Sequence, residues 1–96
     1  MTAEPPFWSV FNRDERLVLI VNAQPGILTF ARVPDGDVAP VQCPFATLQC
    51  LDPLIEHDVL KLIRDCRNVE GLIEALARRG FRIAKGRPVV KEFARL

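Results

Sequence analysis

The sequence predicts one small α+β domain: an N-terminal antiparallel β-meander of three to four strands, two α-helices packed on one face of it, and a short basic β-hairpin at the C-terminus. Three observations point there. The first half holds short β-branched and aliphatic runs separated by proline and glycine. The stretch from Asp52 to Gly80 carries apolar residues at helical spacing between recognisable caps. After Gly80 the chain turns basic around Lys85-Gly86-Arg87-Pro88. At 96 residues the chain can close one hydrophobic core but not two, so residues 1–96 form a single domain. Residues 1–6, polar or proline, are expected to fray.

Taken in order, Phe7, Trp8, Val10 and Phe11 supply bulky groups suited to a strand or to a lid over the core. Residues 16–22 read as a buried strand, an aliphatic run bounded by the charged cluster 13–16 and by Pro25-Gly26. Pro25 and Gly26 suit the central positions of a type II turn. The chain then returns as residues 27–33, turns at Pro34-Asp35-Gly36-Asp37 and continues as 38–42, which completes the meander. Asp52-Pro53 is an N-cap followed by proline at the first helical position. Ile55, Val59, Leu62, Ile63 and Cys66 make one stripe of that helix, with Glu56, Lys61, Arg64 and Asp65 mostly opposite. Asn68 caps a second helix with the apolar set Val69, Leu72, Ile73 and Leu76. Arg78 and Arg79 fall in its last turn and Gly80 just beyond, so Gly80 should be left-handed and Phe81 should fold back on Leu76. Residues 81–84 and 89–93 are the arms of the hairpin. Gly71, inside the second helix, costs about 1 kcal/mol against alanine and calls for close packing or a partner's approach.

Composition excludes several classes. The hydrophobic fraction of 49% and charged fraction of 26% lie near those of ordinary globular domains, against disordered, fibrous and membrane proteins. The longest aliphatic run, residues 17–21, is far shorter than the roughly 20 residues a membrane helix needs, so no membrane partner is expected. The start shows neither a basic nor an apolar leader segment, which gives a cytoplasmic expectation. Cys43, Cys50 and Cys66 cannot all pair within one chain and are expected to be free and mostly buried.

Chemistry is hard to find, and the sequence is not read as an enzyme. His57, the sole histidine, neighbours Glu56 and Asp58 in sequence, but adjacent helical residues point apart. The three cysteines sit in no nucleophile motif. With His57 they number four thiol or imidazole ligands, yet the spacings are wider than zinc pairs use, and His57 and Cys66 stand about 13 Å apart along one helix. No metal is expected. The glycines stand singly rather than in a phosphate cradle, so no cofactor is expected either.

Charge carries what functional signal there is. Residues 1–50 hold three basic and five acidic side chains, a balance of −2, whereas residues 78–95 hold seven basic side chains against Glu92 alone, a balance of +6. Arg78, Arg79, Arg82, Lys85, Arg87 and Lys91 are therefore the candidate nucleic-acid contacts. The plain alternative for the same residues is cations favoured by a helix C-terminus and charges guarding an edge strand.

Residues 69–90, VEGLIEALARRGFRIAKGRPVV, about a quarter of the chain, resemble the third helix and wing of winged helix-turn-helix proteins. That resemblance implies a helix in the major groove and a wing on the backbone, with Arg78, Arg79, Lys85 and Arg87 as contacts. The chain departs from the family in leaving only Arg67-Asn68 between its helices. The same stretch is similar to the start of small messenger-RNA interferase toxins, but Arg87-Pro88 stands where that pattern has serine and the catalytic histidine. The toxin activity is not carried over.

Two readings result. The first is a small nucleic-acid-binding module or regulator, on DNA or RNA, with the sheet as scaffold or homodimer surface. The second is a protein-binding inhibitor, immunity protein or adaptor of the type mobile elements encode, acting through a sheet edge or through Phe7, Trp8 and Phe11, since aromatics anchor interfaces.

Overall fold

The computed structural model describes residues 6–29 and 41–86. Strand β1 (Phe7–Phe11) and strand β2 (Leu17–Asn22) form an antiparallel hairpin. Asn12 builds its turn. The Asn12 side-chain oxygen accepts from the backbone N–H groups of Asp14 (2.9 Å) and Arg16 (3.0 Å), and its own N–H donates to the Arg16 carbonyl (3.0 Å). Closing the turn so tightly puts Glu15 at φ 60°, the left-handed conformation. Pairing slips by one residue past Val10, so Val18 is extra and its carbonyl accepts instead from the N–H of Leu51 (2.8 Å).

The expected meander stops at that hairpin. Strand β3 (Gly26–Thr29) does not return along β2, because strand β5 (Thr47–Cys50) occupies that edge. The six strands run in the order β4-β3-β5-β2-β1-β6, with β3 and β5 parallel and every other neighbour antiparallel. Strand β4 (Val41–Cys43) pairs with β3, and β6 (Arg82–Lys85) pairs with β1. Among the described residues the sheet is thus mixed and six-stranded. Placing β5 centrally buries Leu48 and Cys50 while Gln49, pointing the other way, stays exposed. The expected type II turn is also absent: Gly26 is not among the positive-φ glycines of the described residues and instead opens β3. Its lack of a side chain has another cause, since a Cβ there would run into the Thr47 side chain from β5.

The helical half follows its caps. The Asp52 carboxylate accepts from the N–H of Leu54 (3.0 Å) and Pro53 opens a 3-10 turn, Pro53–Ile55, which leads into α1 (Glu56–Asp65). Asn68 accepts from the N–H of Gly71 (2.8 Å) at the start of α2 (Val69–Arg78). Gly71 belongs to this cap: a Cβ on it would stand 3.2 Å from the Asn68 oxygen. At the far end Gly80 lies at φ 96°, its N–H donates to the Ala77 carbonyl (3.1 Å), and the Phe81 N–H donates to that of Leu76 (3.3 Å). These are the two bonds of a Schellman motif.

Register puts Val10, Leu19, Val21, Leu28, Leu48 and Cys50 on one face of the sheet. All six join Val59, Leu62, Ile63, Val69, Leu72 and Leu76 of the helices in one buried cluster, so both helices cover that face and their apolar stripes supply the second layer. The winged-helix resemblance does not extend to this architecture. The strand after α2 pairs with β1 in a sheet whose other described strands all precede both helices. The second arm of the expected hairpin, residues 89–93, lies outside the described residues.

Candidate anion-binding corner

The turn joining β1 to β2 meets the end of α2. Register places Phe11, the last residue of β1, opposite Arg82, the first of β6. The Arg82 guanidinium lies 4.2 Å from the centre of the Phe11 ring, a cation–π contact that also shields the ring. Glu15 reaches the same arginine from the turn, and both its carboxylate oxygens are 2.9 Å from Nε. The two Nη nitrogens have no partner among the described residues, and the Arg82 side chain is 52% exposed.

Arg13, from the same turn, lies over Gly80. A Cβ on Gly80 would be 3.2 Å from its Nη2 and 3.4 Å from its Nε. Gly80 is required by its positive φ, and the guanidinium lies against it at the end of α2, where backbone carbonyls favour cations. Arg13 has no ion-pair partner among the described residues, and neither has Lys85.

The remaining cations are loosely held. Arg78 lies 3.7 Å from Glu74 one turn back on α2, and Arg79 lies 3.6 Å from Asp58 of α1. Exposed pairs at such distances are worth about 0–1 kcal/mol, so either arginine can exchange its carboxylate for a phosphate at small cost. Of the six basic candidates, Arg78, Arg79 and Arg82 lie at the end of α2 and the start of β6, whereas Lys85, opposite Trp8, lies at the far end of β6 and on the other face of the strand from Arg82. Arg87 and Lys91 lie outside the described residues.

The aromatic candidates differ in burial. Phe11 is 6% exposed, Trp8 packs against the core cluster, and Phe7 is half-buried. On the thiol side, Cys50 is buried and its Sγ donates to the carbonyl of Asp52 (3.2 Å). Burial, with Glu56 and Asp52 nearby, pushes this thiol up to about 11, so it carries no thiolate at neutral pH. Burial also raises the half-buried Cys66. Among the described residues no three His, Cys, Asp or Glu side chains gather to hold a metal ion, and no helix is long and apolar enough to cross a membrane.

Two members of the corner escape a reading by local charge. Arg13 and Glu15 both sit in the acidic half and reach Gly80 and Arg82 only through the fold. The available signal was Asn12-Arg-Asp-Glu between two strand-like runs, which marks a tight turn able to project both side chains. No protein-family model, curated protein or solved structure matches this chain, so the corner is defined by its own geometry and charge.

Proposed function

We propose that this domain binds the phosphate backbone of a nucleic acid at the corner between the β1–β2 turn and the end of α2. The observation that carries this reading is Arg13, a guanidinium without an ion-pair partner among the described residues, brought from the acidic half of the chain onto Gly80. Arg78 and Arg79 at the end of α2 and Arg82 at the start of β6 flank that position, and Lys85 stands apart at the other end of β6. A fold that needed only to cap α2 with positive charge already had Arg78 and Arg79 for that purpose. The contacts are to phosphates, so they set affinity and register without reading bases. The protein-partner reading has less support, because Trp8 and Phe11 are spent on packing.

Fluorescence anisotropy of labelled duplex DNA and RNA at about 50 and 200 mM salt tests it. Three phosphate contacts, from Arg13, Arg79 and Arg82, give a duplex-DNA affinity that falls about 40-fold over that range. Absence of binding at the lower salt sinks the reading and leaves a protein partner to be sought by pull-down.

A further inference from the structure

We infer that Glu15 is a positioning residue that sets Arg82 as a two-pronged receptor for one phosphate group, an inference that rests on the phosphate-binding reading above. The turn does not need its side chain. Every hydrogen bond that closes residues 12–16 is made by the backbone or by Asn12. The turn is in fact worse for having a glutamate, since Glu15 is the one non-glycine residue at positive φ among those described, at a position glycine would take without strain. Backbone outliers of this kind persist where the side chain does something the site requires.

What the side chain does is hold Arg82 from the side. Both oxygens converge on Nε at 2.9 Å, rather than docking on the two-nitrogen fork that gives a carboxylate and an arginine their strongest pairing. The Phe11 ring fixes the guanidinium plane from below at 4.2 Å. Phe11 is itself buried and so a firm support. Gripped at one edge and on one face, the arginine keeps its outer edge, Nη1 and Nη2, for another pair of oxygens. A phosphate offers that pair with the matching spacing, and Arg13 adds a second positive charge from the same turn.

The test is NMR of the arginine Nε–Hε signals in the full chain, titrated with pyrophosphate and, in parallel, with a DNA or RNA oligonucleotide. In the unaltered protein the Arg82 signal shifts with pyrophosphate. Glu15→Gly melts at the same or a higher temperature yet binds pyrophosphate about tenfold more weakly, because a released Arg82 must be ordered by the ligand. Arg82→Lys keeps the charge but not the fork, and loses affinity to a similar extent. An Arg82 signal unmoved by pyrophosphate overturns the inference, as does undiminished binding by either variant or a lowered melting temperature for Glu15→Gly. Pyrophosphate binding without oligonucleotide binding retains the receptor and discards the nucleic-acid reading. Oligonucleotide binding indifferent to Glu15→Gly does the reverse.

Discussion

Replacing Gly80 by alanine touches the fold and the corner together. Gly80 is at φ 96°, and its N–H and that of Phe81 bond to the carbonyls of Ala77 and Leu76. A residue with a Cβ in left-handed geometry costs about 1–2 kcal/mol. The new Cβ would also stand 3.2 Å from Arg13 Nη2, the flexible end of an exposed side chain, so the guanidinium moves aside cheaply rather than adding much to that cost. At roughly 4–8 °C per kcal/mol for a domain of this size, the melting temperature should fall by about 4–16 °C. Thermal unfolding followed by circular dichroism reads it. Gly86→Ala is the control: Gly86 is at φ 112° with no atom of the described residues within 4 Å of a Cβ, so it carries the backbone cost without disturbing Arg13. The folded Gly80→Ala protein should therefore bind pyrophosphate less well than folded Gly86→Ala. A Gly80→Ala protein as stable as the parent would refute the left-handed helix end and with it the placement of Arg13.

Two further perturbations probe other parts of the structure. Gly26→Ala forces a Cβ against Thr47, whose hydroxyl donates to the Gln24 carbonyl (2.8 Å); overpacking at this point should cost about 1–3 kcal/mol in chemical denaturation, partly relieved by adding Thr47→Ala, and a neutral effect would speak against β3 beside β5. The Cys50 thiol, raised from 9.0 to about 11 in the folded chain, contributes stability that is fully present below pH 9 and is lost as pH rises from 9 to 11, because the unfolded chain ionises first. Urea midpoints across that window should fall more steeply for the unaltered protein than for Cys50→Ala, and equal slopes would contradict the burial of this thiol.

The helical half was legible in the sequence because its signals are local. Asp52, Asn68 and Gly80 each act on the turn they belong to, and the apolar stripes name the residues that enter the core. The sheet order was not legible. Thr47-Leu-Gln-Cys is a four-residue strand between a proline-containing stretch and a helix cap, too short to announce itself beside the longer run of β2. Its place between β2 and β3 is decided by which partners bury Leu48 and Cys50, a property of the assembled core rather than of any window. The same division holds at the corner. The basic run after Arg78 is visible as charge and Glu74 is its local neighbour on α2, but Glu15, Asp58 and Arg13 arrive from the β1–β2 turn and α1 through tertiary contacts.

The central claim is that Arg13, Arg79 and Arg82 meet phosphates together. Its most direct test is the slope of log Kd against log salt concentration for duplex DNA, measured for the unaltered protein and for Arg13→Ala. Each lost phosphate contact lowers the slope by about 0.9, so the magnitude should drop from about 2.7 to about 1.8 while the protein stays folded. A slope unchanged by the substitution, or no binding at about 50 mM salt, would contradict the account.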